Sequence, residues 1–133
     1  MGEFDLIERH FKALGATRDD VVLGVGDDAA LLRPPPGATV CAVSSSNRAD
    51  LTARGMAEQL VSDAVTALQA RGARPAWATL ALSLEREDAC WLADFAGALH
   101  EALTSADVAL VGGDTTGGAL SATLQMIGIE VGS

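Results

Sequence analysis

Val22-Leu23-Gly24-Val25-Gly26-Asp27-Asp28-Ala29-Ala30-Leu31-Leu32 sets two short apolar runs on either side of a Gly-x-Gly-Asp-Asp turn. The runs read as strands. The glycines open backbone conformations closed to other residues and let the chain come close to a ligand. Asp27 and Asp28 repel one another. In a tight turn they stay ionised most easily beside a cation or hydrogen-bond donors. Mg²⁺ takes carboxylate oxygens, keeps several waters and shares phosphate oxygens. The turn is therefore a candidate Mg–nucleotide site. A solvated β-turn is the plainer alternative, because Gly and Asp are ordinary turn residues.

A second acidic glycine segment strengthens the first reading. Val108-Ala109-Leu110-Val111 reads as a strand and leads into Gly112-Gly113-Asp114-Thr115-Thr116-Gly117-Gly118. Leu120 to Ile129 then alternates as a further strand. The expectation is a Gly-rich bend that carries Asp114 and two hydroxyls, with backbone N–H groups free to meet phosphate oxygens.

The 133 residues suggest one domain, with 49% hydrophobic content and a net charge of −9. Such a balance argues against non-specific nucleic-acid binding, which depends on Lys and Arg. Tyr is absent, so an aromatic platform for bases is not expected. No apolar run reaches membrane-spanning length and no signal-peptide core opens the chain, so the expected setting is cytoplasmic. Cys41 and Cys90 sit in apolar surroundings without metal-ligand spacing and read as buried, reduced thiols.

Phe4, Ile7, Phe11 and Leu14 recur at helical spacing. Arg33-Pro34-Pro35-Pro36-Gly37 is a loop. Val40 to Val43 reads as a strand running into Ser44-Ser45-Ser46-Asn47. From Asp50 to Arg71 the pattern is helical, with Met56, Leu60, Ala64 and Leu68 on one stripe and Gly72 at the end. Trp77 to Leu84 is a strand. Leu92, Phe95, Ala96, Leu99 and Leu103 mark another helical face, and the two strands around Gly112–Gly118 follow. His10 and His100 read as structural. The fold class is α+β, a mixed β-sheet with helices on one face. Apolar residues on both faces of the strands call for a partner, and a second copy is the simplest one.

GEFDLI, GVGDDAALL, GARPAWATLALSL and LVGGDTT together resemble the N-terminal half of the thiamine-monophosphate kinase family, which shares its fold with aminoimidazole ribonucleotide synthetase. The resemblance covers about Gly2 to Ile129. It implies that ATP phosphorylates thiamine monophosphate to thiamine diphosphate, with Mg²⁺ ions gathering the phosphates. It also implies a homodimer whose sheets pair into a barrel. Carried over by motif, Asp28 matches a metal-binding aspartate with Asp27 beside it. Ser44 and Ser45 match hydroxyl positions near the metals. Gly113 and Asp114, after Gly112, match the nucleotide- and metal-binding segment.

Two departures stand out. The family reads Ser-Thr-Asp-Thr where this chain has Ser44-Ser45-Ser46-Asn47, so Ser46 replaces a bridging carboxylate. A helix aspartate of the family falls on Ala67 here. Asp63, one turn earlier on the same helix face, is a candidate replacement; the plainer reading is a solvated carboxylate. The family's C-terminal half, which completes the cleft, has no counterpart in residues 1–133. The expectation is a kinase-like ATP/Mg²⁺-binding domain, impaired or inactive alone. The alternative is a degenerate homodimerisation module without catalysis.

Overall fold

A computed structural model of the chain describes residues 21–23, 31–85 and 88–131. The helix expected over Phe4–Leu14 and the Asp27–Asp28 turn lie outside them. The runs that flank that turn, β1 (Val21–Leu23) and β2 (Leu31–Leu32), pair antiparallel, with Val21 opposite Leu32. After the proline loop come β3 (Thr39–Ser46), α1 (Ala53–Ala70), β4 (Ala73–Leu84), α2 (Ala89–Ser105), β5 (Ala109–Gly117) and β6 (Ser121–Glu130). The last four strands form a mixed sheet in the order β3-β6-β4-β5. β6 is antiparallel to both β3 and β4, and β5 is parallel to β4. The fold class is thus the expected α+β.

Both helices return the chain between parallel strands, so they run against β3, β4 and β5 and lie along one face. The Thr52 hydroxyl caps α1 by accepting from the Gly55 N–H at 2.9 Å. Asp88 caps α2 by accepting from Trp91 at 3.0 Å. These side chains satisfy N–H groups that a helix leaves unpaired. α1 gives way at Gly72, whose φ of 70° favours a residue without a side chain. Its expected stripe is buried: Met56, Leu60, Ala64 and Leu68 pack with Leu92, Phe95, Leu99 and Leu103 of α2. Beneath them the sheet supplies Ala78, Leu80 and Leu82 from β4, and Ala122, Leu124 and Met126 from β6. Alternate residues of a strand face opposite sides, so these positions define a helix face.

The remaining positions make an open face. One end of it holds a small apolar cluster of Ala76, Trp77, Ala109, Val111 and Ile129, with Leu32 and Ile127 packed against it. Beyond it lie Thr79, Ala81 and Ser83 on β4, Ser121, Thr123 and Gln125 on β6, and Cys41, Val43 and Ser45 on β3, while Arg74 and Thr39 stand opposite Ile129 at the cluster's end. Val43 is 64% exposed.

Several expectations change at this level. Ser44–Ser46 do not leave the sheet after Val43: β6 reaches Ala122, so it still offers a ladder partner to Ser46. β4 begins at Ala73 rather than Trp77, and a register shift between Pro75 and Trp77 accommodates the proline. Cys41 and Cys90 are exposed, not buried. Cys41 falls on the open face, and Cys90 in the first turn of α2 lies off its buried stripe.

Candidate functional site

The largest change concerns Gly112–Gly117. These residues are not a bend between strands. They continue β5, because β4 runs far enough to pair with them, from Thr79 opposite Gly112 to Leu84 opposite Gly117. The turn comes later, at Gly118, whose N–H donates to the Leu84 carbonyl at 3.0 Å. Asp114 is thus a mid-strand carboxylate, opposite Ala81.

Its face is set by an irregularity just before it. Ala78 pairs with Leu110, but Thr79 pairs with Gly112, so β5 carries one extra residue, Val111. This is a β-bulge. Leu110 belongs to the helix-side core. Regular alternation from Leu110 would put residues 112 and 114 under the helices as well. The extra residue reverses the phase. Gly112, Asp114 and Thr116 face the open side, and Gly113 and Thr115 pair with the helix-side residues Leu80 and Leu82.

Register then locates the other candidates. Asp114 is opposite Ala81, Ala81 opposite Thr123, and Thr123 opposite Ser45. These four residues form one row across the open face. Ser45 and Asp114 stand on its two outer strands, about 14 Å apart at the usual spacing between strands. Ser44 is on the reverse side, where its hydroxyl donates to the Leu60 carbonyl of α1 at 2.7 Å. Asp63 is exposed on α1, also on the helical side. The described residues therefore place Ser45, Gly112 and Asp114 on one face and Ser44 and Asp63 behind it. Asp27 and Asp28 lie outside the described residues, which contain no group of three or more His, Cys, Asp or Glu side chains able to hold a metal.

The two glycines differ. A Cβ on Gly113 would lie 2.4 Å from the Leu80 carbonyl oxygen, a backbone atom that cannot swing aside. Packing against β4 by itself requires a glycine at 113. A Cβ on Gly112 would find only the Thr79 methyl, at 3.9 Å. Packing does not require a glycine there, and glycine weakens a strand. The space beside Gly112 is open, and a side chain there would take it up.

Charge favours a cation at this face. Among the described residues the open face has no Lys or Arg close to Asp114, which is exposed; Arg74, opposite Ile129, stands at the far end of that face. Nearby arginines are engaged elsewhere. Arg48 grips Asp50 through Nε at 3.2 Å and Nη2 at 2.7 Å. That hydrogen bond is the main reason the Asp50 carboxyl sits below the usual range. Arg54 bridges to Glu101 at 3.0 Å. It does so across a groove of about 610 Å³ between the helices, on the side away from Asp114. A polyphosphate beside Asp114 would meet a carboxylate and, among the described residues, no neighbouring cation. A hard divalent ion between them fits both, since Mg²⁺ needs only one or two carboxylates beside water and phosphate.

Sequence reasoning missed the polar neighbours of this face. The Thr79 hydroxyl donates to Gln125 Oε1 at 3.2 Å, and Gln125 Nε2 donates to Cys41 Sγ at 3.2 Å. The period-two pattern Thr79–Ala81–Ser83 and Ser121–Thr123–Gln125 was the available signal.

The sequence pattern described as AIR synthase related protein, N-terminal domain, matches residues 26–130. The chain belongs to this family. Within the AIR synthase related proteins it is 41% identical over 133 residues to the thiamine-monophosphate kinase of Escherichia coli (strain K12), covering 96% of this chain and 41% of that protein. The crystal structure of thiamine-monophosphate kinase from Stenotrophomonas maltophilia K279a superposes with a TM-score of 0.81 at 37% identity, over 96% of this chain and 42% of that one. AaThiL complexed with AMPPCP and TMP has the same fold, with a TM-score of 0.60 at 18% identity, over 96% of this chain and 41% of that one. The chain thus spans about two fifths of the length of these relatives. Among the described residues no helix is long and apolar enough to cross a membrane.

Proposed function

We propose that this chain is the ATP·Mg²⁺-binding domain of a cytoplasmic thiamine-phosphate kinase, impaired or inactive without the remainder of the family's length. The observation that carries the reading is the pairing of a strand glycine that packing does not require, Gly112, with the exposed carboxylate of Asp114, which has no Lys or Arg beside it on that face among the described residues. Asp114, with Asp27 and Asp28, would hold Mg²⁺; when bound, the ion neutralises the phosphates and orients them for in-line transfer. The Gly112 backbone lets a phosphate approach closely. Ser45, on the same face but with two strands between, is a hydroxyl for a more distant part of the ligand. ATP is the donor, and thiamine monophosphate is the acceptor its relatives suggest.

Calorimetry on the 133-residue chain tests this. Mg·ATP at 100 Kd should stabilise the wild type by about 2.7 kcal/mol. Asp114→Asn should weaken the Mg²⁺-dependent binding at least tenfold and leave the unfolding midpoint without ligand unchanged. Equal binding by the variant, or no Mg²⁺-dependent shift at millimolar ATP, rejects the site.

Val43 supports the second part of the reading, a homodimer formed through the sheet at its β3 side, away from Asp114 on β5. It is a large apolar side chain, 64% exposed at the middle of β3. Pairing with a second copy would bury it. Val43→Glu should shift the chain to monomer in sedimentation without loss of helical circular dichroism. A wild type that sediments as a monomer at high concentration removes this part and leaves nucleotide binding to be judged alone.

A further inference from the structure

The bulge at Val111–Gly112 decides which side of the sheet Asp114 faces, and the side chain opposite it on β4 is Thr79. Thr79 reaches both neighbouring strands at once. Its hydroxyl donates to Gln125 on β6 at 3.2 Å. Its methyl lies toward β5, 3.9 Å from where a Gly112 Cβ would be. β-branched side chains are stiff about χ1, so the bond to Gln125 also fixes the methyl. Gln125 is held in turn by its bond to Cys41 on β3. A polar chain thus runs across three strands and ends at Thr79, the β4 residue in register with the bulge. Next to it on the same face, Val111 is buried in the cluster of Trp77, Ala109 and Ile129.

We propose that Thr79 and Gln125 are positioning residues for the Asp114 carboxylate: they hold the Val111–Gly112 bulge in the form that presents Asp114 to the open face. The proposal rests on the Mg·ATP reading for its consequence in binding, but not for its consequence in the backbone.

The test uses the whole chain with Thr79→Val, Gln125→Leu, the double variant, and Thr79→Val combined with Asp114→Asn. Two readouts are taken: calorimetric affinity for ATP with and without Mg²⁺, and amide hydrogen exchange of the ligand-free chain. Either single variant should weaken Mg²⁺-dependent binding about fivefold, the worth of one net hydrogen bond. Binding without Mg²⁺ should not change. The double variant should be no worse than either single one, and Thr79→Val should add nothing in the Asp114→Asn background. Exchange at Gly112, Gly113 and Asp114 should quicken about fivefold while α1 and α2 amides stay protected.

Wild-type affinity in Thr79→Val, or losses that add in the double variant, would overturn the proposal. If the wild-type chain itself fails to bind Mg·ATP, the functional reading falls and exchange decides the rest. Faster exchange confined to the bulge upholds the positioning role, and unchanged exchange ends it.

Discussion

Phe95→Ala is expected to lower the stability of the chain by about 3–5 kcal/mol, the usual cost of emptying a fully buried aromatic site. Phe95 has no exposed surface and stacks on Trp91 one turn earlier, with ring centroids 5.0 Å apart and planes 10° from parallel. The ring is part of the stripe that fastens α2 to the sheet. α2 is also the crossover that delivers the chain to β5. A domain of ordinary stability holds only about 5–15 kcal/mol in total. The loss would therefore appear as a large drop in the urea midpoint with little change in slope. Mg·ATP should restore part of that midpoint by mass action if the variant still binds when folded. A loss below 1 kcal/mol would mean that α2 does not pack on the sheet through this stripe.

Gly113→Ala is the second large effect, and its value lies in the contrast with Gly112→Ala. The new methyl at residue 113 would sit 2.4 Å from the Leu80 carbonyl oxygen, so β4 and β5 must move apart. Overpacking of this kind costs roughly 1–3 kcal/mol. At residue 112 the nearest atom is the Thr79 methyl at 3.9 Å, an ordinary van der Waals distance. There the methyl should leave stability within about 0.5 kcal/mol or raise it slightly, because alanine restricts the unfolded chain. It should still reduce ATP affinity by filling the space proposed for phosphate. Thermal unfolding and calorimetry on the two variants separate the roles. Gly113→Ala should unfold earlier, and Gly112→Ala should unfold normally but bind poorly. The reverse pattern would place the ligand against Gly113 and contradict the register of β5.

Much of the fold was legible because it follows from local periodicity. Met56, Leu60, Ala64 and Leu68 recur at the helical interval, and the same stripe is buried. The apolar runs around Asp27–Asp28 were read as strands, and Val21–Leu23 pairs with Leu31–Leu32. The site was less legible. A run of glycines is the ordinary signature of a turn. Whether it bends or extends depends on a partner strand that lies some thirty residues earlier in the chain. The cysteines were misjudged for a related reason. Apolar sequence neighbours do not bury a side chain on a strand when the next residue faces the other way. Ser44 and Ser45 show the same point: adjacent in sequence, one is bonded to α1 and the other shares a row with Asp114.

By itself, the order of residues determined the two described helices, most of the strands and the family. Those are properties of neighbours within a few positions, where periodicity, capping and turn chemistry act. Only the tertiary structure decided which side of the sheet Asp114 presents. One extra residue at Val111, opposite Thr79, reverses the alternation of everything after it, and the pairing that creates that mismatch exists only once β4 and β5 lie side by side.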